Sequence, residues 1–220
     1  MSRETIPPTT TLSGMSRFIT AGAVAAASVL LLAGCATAFP GSSSGSGGAV
    51  VWGTPSPPAG EVLTQGTVMD VSGMVELCLG PIAESYPPQC SGIPVEGWSW
   101  DGIEGWETSG DVTWGAYAVR GTYDGSSFAI TGEPVMLALY DPIAPVDPTG
   151  GKPGTASEAE LTEMQDALPA VIGDNFLASY PENGWLWVDV VWDDGTLQDA
   201  ADATYGAGAV VIRSAIREAG

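Results

Sequence analysis

Trp185-Leu186-Trp187-Val188-Asp189-Val190-Val191-Trp192 is a dense run of aromatic and β-branched residues, the composition of a strand. Asp193-Asp194-Gly195 turns the chain, and Leu197 to Tyr205 reads as a short helix stopped by Gly206. Ala209 to Arg213 is a second strand. Strand, helix and strand in so short a span require two parallel strands joined by a right-handed crossover. Period two places Leu186, Val188, Val190 and Trp192 on one face, suited to cover by helices. It places Trp185, Trp187 and Val191 on the other, with Asp189 among them. Parallel strands are normally buried on both faces, so the face of the two tryptophans is expected to find cover within the chain.

Upstream, Ser157-Glu158-Ala159-Glu160 is a capping box, in which the Ser157 hydroxyl accepts from the Glu160 backbone and Glu160 reaches back. Leu161, Met164, Leu168, Val171 and Ile172 follow at helical spacing, and Pro169 is expected to kink or break that helix. Before it lies Asp141 to Ala156, DPIAPVDPTGGKPGTA, with four prolines. Earlier still, Gly66–Val71, Met74–Leu79, Val112–Arg120, Ser127–Thr131 and Val135–Tyr140 alternate or run apolar between turns, and Tyr123-Asp124-Gly125-Ser126 is a good hairpin turn. The expected fold class is α+β. A small antiparallel β-barrel-like part, OB-like at most, is followed by a helix and a β-α-β unit. The expected divisions are a signal peptide over 1–34, a flexible Gly/Ser/Pro tether over 35–60, a β-rich domain over 61–141, a Pro/Gly linker over 142–156 and an α/β domain over 157–220.

The N-terminus carries an address. Phe18 to Ala33, FITAGAVAAASVLLLA, is an apolar run of 16 residues after Arg17, short of the roughly 20 that span a bilayer core as a helix. A charged start, a short apolar run and small residues at its end make a secretory signal. Leu32-Ala33-Gly34-Cys35 resembles the lipobox of bacterial lipoproteins. That resemblance implies a diacylglyceryl group on the Cys35 sulfur, as in palmitate-bearing lipoproteins, and cleavage between Gly34 and Cys35. Two acyl chains anchor stably where one holds marginally. The stretch before Met15 is long and weakly basic for a signal, and translation is expected to begin at Met15.

Charge and composition exclude several classes. Against 26 acidic residues stand six basic ones, for a net charge of −20, and there is no histidine. A nucleic-acid partner is excluded for want of a basic patch, as are mechanisms that need a histidine base. The exported context permits oxidation, and Cys78 and Cys90 remain as an even pair. A bridge between them would close CLGPIAESYPPQC, and such a loop contributes about 3 kcal/mol in the chain-entropy model. No cofactor, metal or catalytic residue is assigned.

Among eight tryptophans, Trp98 with Trp100 and Trp185 with Trp187 alternate onto strand faces. They read either as core packing or as an aromatic platform for a sugar or a peptide. Acidic residues gather at Asp101, Glu104, Glu107 and Asp111, and again at Asp189, Asp193, Asp194, Asp199 and Asp202. They read as a solvated surface, as calcium ligands, or as an acid–base pair on a glycoside. Lys152 sits in the Gly/Pro linker, which offers no desolvated place for a catalytic amine.

LCLGPIAESYPPQCSG, Gly97-Trp98-Ser99-Trp100 and Val119 to Gly125 resemble a group of actinobacterial exported proteins, as do Asp194 to Gln198, Tyr205-Gly206 and Ser214 to Arg217. That group brings no activity to transfer. The functional expectation is a lipoprotein on the outer face of the cell membrane, held by the lipid on Cys35, that binds a protein or glycan without catalysis. The alternatives are a carboxylate-dependent enzyme acting on an envelope glycan, or a calcium-binding surface protein. Replacing Cys35 by Ala should release the protein from the membrane fraction or leave an unprocessed precursor. Normal cleavage with unchanged membrane retention would exclude the lipid as anchor.

Overall fold

The computed structural model describes residues 52–142 and 147–219. The signal, the lipobox with Cys35, and most of the tether lie outside them. The strands are β1 (Val62–Val71), β2 (Met74–Cys78), β3 (Ile93–Glu96), β4 (Trp106–Ser109), β5 (Val112–Tyr123), β6 (Phe128–Ile130) and β7 (Val135–Met136). The helix α1 (Glu158–Ile172), β8 (Phe176–Glu182), β9 (Trp185–Val190), α2 (Thr196–Tyr205), β10 (Val210–Ser214) and β11 (Arg217–Glu218) follow.

The fold is α+β, with a closed five-stranded barrel ordered β1-β2-β3-β6-β5 and back to β1. Its pairs are antiparallel except β3 with β6, which run parallel. β4, β7 and β11 extend the sheet at its edges. β1 pairs with β5 along its whole length, and glycine faces a large residue at three places: Gly66 opposite Tyr117, Gly115 opposite Val68 and Gly121 opposite Val62. A Cβ on Gly115 would strike the Tyr117 ring, so this glycine makes room for the largest fully buried side chain of the barrel. Around Tyr117 close Val62, Val68, Leu77, Val119 and Phe128.

Two hairpins turn on two residues with positive φ at both, Ser72-Gly73 and Asn183-Gly184, the geometry that matches strand twist. The second creates β8, so β9 has an antiparallel partner as well as its parallel one in a three-stranded sheet ordered β10-β9-β8. α1 packs on β8 and β9, and α2 on β10. Leu186, Val188 and Val190 are fully buried beneath them with Leu161, Met164 and Leu168. The capping box forms as read, with Ser157 N donating to Glu160 Oε2 at 2.7 Å and Glu160 N to Ser157 Oγ at 3.4 Å. The helix continues through Pro169 to Ile172. The ring falls in the last turn, where little helix remains to disrupt. Gly206, at φ 88°, ends α2 with its N–H on the Asp202 carbonyl.

Several expectations are corrected. Only Val135–Met136 of the Val135–Tyr140 run is strand, and Leu137–Leu139 form a 3₁₀ turn. Trp98 and Trp100 lie outside any strand, in the loop between β3 and β4. Val191 and Trp192 leave the sheet after Val190 and join the barrel core. The cause is Asn175, whose Oδ1 accepts from Trp192 N at 2.9 Å while its Nδ2 donates to Trp192 O at 2.7 Å. With its backbone held there, Trp192 cannot face the helices.

The segment Trp52–Gly60, expected as the end of a free tether, is docked. Trp52 is 7% exposed within the helix-covered core, edge-on to Tyr205 with ring centroids 6.2 Å apart. Ser56 N donates to Asp194 Oδ2 at 3.0 Å, and Trp192 Nε1 donates to Ser56 O at 2.8 Å. The C-terminus makes the reverse exchange. Ile216 is fully buried in the barrel core, β11 pairs with the start of β1, and the buried Thr64 donates from Oγ1 to Ala215 O at 2.9 Å.

Each half is therefore completed by the other end of the chain. Trp52→Ala should cost about 3–5 kcal/mol and Ile216→Ala about 2–5 kcal/mol. Each should lower one cooperative denaturant transition, seen alike by far-UV dichroism and by tryptophan fluorescence. Two separable transitions would show that the halves fold independently.

Candidate functional site

Three cavities share walls along the seam between the barrel and the three-stranded sheet. The first, about 430 Å³, lies between the Trp52–Pro55 strap, Tyr123 and Trp192. The second, about 370 Å³, shares Gly92, Ile93, Asp174 and Val191 with it. The third, about 380 Å³, shares Leu79 and Leu177 with the second and holds Asp189, Arg213 and Arg217. Together they form one groove with an aromatic end, an apolar middle and an end that carries guanidinium groups.

At the aromatic end, Trp52 Nε1 is buried and has no hydrogen-bond partner among the described residues. A buried donor left unpaired is costly, and Trp98 Nε1 and Trp187 Nε1 share this state. Gly125 and Ser126 enter the wall from the β5–β6 turn. Asp124 fixes that turn, accepting on Oδ1 from Ser126 N at 2.8 Å and from Ser127 N at 2.7 Å. Burial raises the Tyr123 phenol above its ordinary range, and the Asp124 charge adds to this.

At the other end, Arg213 and Asp189 face each other across the parallel pair of β10 and β9. Arg213 Nε and Nη2 both approach Asp189 Oδ1, at 2.8 and 2.6 Å. The guanidinium carbon stands 5.3 Å from the Trp187 ring centre and 5.4 Å from that of Tyr180, within cation–π range. Arg213 is thus a cover for Trp187, which is half-buried. Trp185, also half-buried, donates from Nε1 to Lys152 O at 2.9 Å, so Lys152 serves here through its backbone. On the strand face of the two tryptophans, the Arg213–Asp189 ion pair covers Trp187 and the Gly/Pro loop is bonded to Trp185.

Trp98 and Trp100 pack against the barrel core. Their rings stand edge-on 5.1 Å apart, and Trp98 lies 5.3 Å from Tyr117. Trp100 Nε1 donates to Asp70 Oδ2 at 3.1 Å, so this pair is packing for the barrel core. Cys78 and Cys90 are disulfide-bonded. The bridge holds the intervening loop over the outer side of the barrel, where Ile82 packs with Met69, Val112 and Trp114.

Several of the acidic groups have structural tasks. Asp193 accepts from Leu197 N at 2.8 Å and from Gln198 N at 3.3 Å, and Asp194 from Thr196 N at 3.1 Å, so both satisfy the open start of α2. Hydrogen bonds from Thr196, and then from Ser56, hold the Asp194 carboxyl below the usual carboxylate range. Asp111 accepts from Ser72 at 3.0 Å, and Asp202 from Gln198 at 3.1 Å. Among the described residues no cluster of three or more His, Cys, Asp or Glu could hold a metal ion, and no helix is long and apolar enough to cross a membrane.

Of the residues singled out from sequence, the groove takes in none of the four platform tryptophans. It is built from Trp52, Trp192, Ile93, Leu177 and Arg213, which the sequence presented as tether, helix-facing strand residue and unassigned positions. No protein-family model, curated protein sequence or solved structure matches the chain.

The hydrogen bonds to Asp124, the Ser127 backbone first and the Ser126 backbone and hydroxyl next, lower its pKa from 3.8 to about 2. A folded-state value below the unfolded one stabilises fully above the unfolded pKa, and that contribution is lost as pH falls through about 2. A carboxyl NMR titration should place the Asp124 midpoint near 2, with the Ser126 and Ser127 amides moving in step. A midpoint near 3.8 would show that the turn is not held by this carboxylate.

Proposed function

We propose that this protein is a lipoprotein, anchored on the outer face of the cell membrane through Cys35, that binds a ligand in the seam groove without transforming it. The observation that carries the binding part is the groove itself. Both halves of the molecule build it, and the interlocked termini hold its walls. Concave, mostly apolar sites with a few fixed polar groups are where small ligands bind. The anchoring part rests on the LAGC sequence at Leu32–Cys35 and on the apolar run before it.

The sequence supports a binder over an enzyme through its lack of histidine. The structure adds that Asp189, one of the groove's carboxylates, is engaged by Arg213, which occupies a group that an acid–base pair would need.

Ile93 stands where the first two cavities meet, and Ile93→Trp should fill that junction. Full-length protein extracted in detergent from its own envelope should carry a small molecule by native mass spectrometry, and the Ile93→Trp protein should carry less. Retention that is absent from the wild type, or equal in a folded variant, would overturn the reading.

A further inference from the structure

The groove's aromatic end carries charge of one sign only. The cavity there, about 430 Å³, has the size of a small-molecule site. Three large rings stand on its wall, Trp52, Tyr123 and Trp192, and its one charged residue is Asp174. No lysine or arginine lines it, since Arg213 and Arg217 belong to the cavity at the other end of the groove. Asp174 is exposed, in the 3₁₀ turn Gly173–Asn175 between α1 and β8. Among the described residues its carboxylate makes no hydrogen bond or ion pair.

Resting on the binding role proposed above, we infer that this cavity receives an alkylated ammonium group, of the trimethylammonium kind, on a small ligand whose apolar part runs on toward Ile93 and Val191. The face of an aromatic ring attracts a cation within about 6 Å of its centre, most strongly when both are out of water. The rings are in place before a ligand arrives. Trp52 packs edge-on to Tyr205, Trp192 Nε1 is bonded to Ser56 O, and each of the three wall rings is at most 9% exposed. Little side-chain freedom is therefore lost when the cavity fills.

An alkylated ammonium fits this wall better than a primary one. A primary ammonium brings three N–H donors, and each needs an acceptor once it leaves water. Polar side chains of the wall are already committed: Asn175 bonds the Trp192 backbone through both ends of its amide, and Ser126 Oγ donates to Asp124. A trimethylammonium has no donor to satisfy and needs only rings and an opposing charge, which Asp174 supplies. Asp124 behind Ser126, and Asp194 at Ser56 of the strap, add negative charge near the wall. At long range the net charge of −20 draws cations to the molecule and repels anions.

The test uses full-length protein in phosphatidylglycerol discs, which carry no choline, titrated with choline, ethanolamine and neohexanol and read by tryptophan fluorescence. The three probes share a hydroxyethyl group and end in a trimethylammonium, a primary ammonium and an uncharged tert-butyl group. Choline should bind at least about tenfold more tightly than either of the others. Asp174→Asn, at an exposed position, should keep the wild-type melting curve, weaken choline about fivefold and leave neohexanol unchanged. Glu133→Gln, which removes the same charge outside the groove, should leave choline unchanged. Ethanolamine or neohexanol binding as tightly as choline would overturn the inference. Equal choline affinity in Asp174→Asn and Glu133→Gln would also overturn it. Absence of choline binding would overturn it too, while ligand retention in the Ile93→Trp comparison would still stand or fall by itself.

Discussion

The structure depends on an exchange of ends. Trp52, just ahead of the barrel in sequence, is buried in the helix-covered core of the other half. Ile216, just beyond the last strand of the α/β half, is buried in the barrel. A three-stranded sheet with two helices is a small unit with little surface to bury. Its core takes a large ring from outside, and a tryptophan is the side chain that fills most volume from a single position. The barrel has the converse need, and Ile216 with β11 closes the side where β1 begins. Neither exchange is local in sequence, so chain entropy is lost before either contact forms. The ordered parts then gain together, which makes one cooperative unit of what composition divides into two.

The groove follows from the same exchange. The barrel and the helix-covered sheet meet along a seam, bounded by the strap at one end and by the tail at the other. Trp192 illustrates how the walls are set. Asn175 holds its backbone out of the sheet, its ring enters the barrel core, and its indole N–H is used on Ser56 of the strap. One residue thereby ties β9, the barrel and the strap. The acidic character of the chain does not obstruct this, because many of the carboxylates near the seam serve as acceptors for backbone N–H groups at turns and at the start of α2.

Much of the fold was legible where the signal is local. The capping box at Ser157, the stop at Gly206 and the turn at Asp124 are decided within a few residues, and they form as read. The class α+β followed from them. β8 was missed although Asn183-Gly184 is a strong hairpin signal; Pro181 within Phe176–Glu182 disguises the strand, and an edge strand tolerates it. β3 is four residues long with a proline, and only its pairing with β2 and β6 makes it a strand. The groove was hardly legible. Trp52 stands in a Gly/Pro-rich context that reads as coil, and its role depends on a core built more than a hundred residues later. Asp189 and Arg213 lie on either side of a crossover helix, and only the parallel register places them opposite each other.

Trp52 unites the two roles. It is part of the helix-covered core and part of the groove wall, with an indole N–H that nothing in the described structure accepts. A ligand seated at that end would lie against the residue that locks the halves together. By linkage, anything that binds only the locked form stabilises it, by about 2.7 kcal/mol at a hundred times its dissociation constant. That is a large fraction of the stability of an ordinary domain. Occupancy of the groove and the hold of the strap are then a single equilibrium, because Trp52 serves in both.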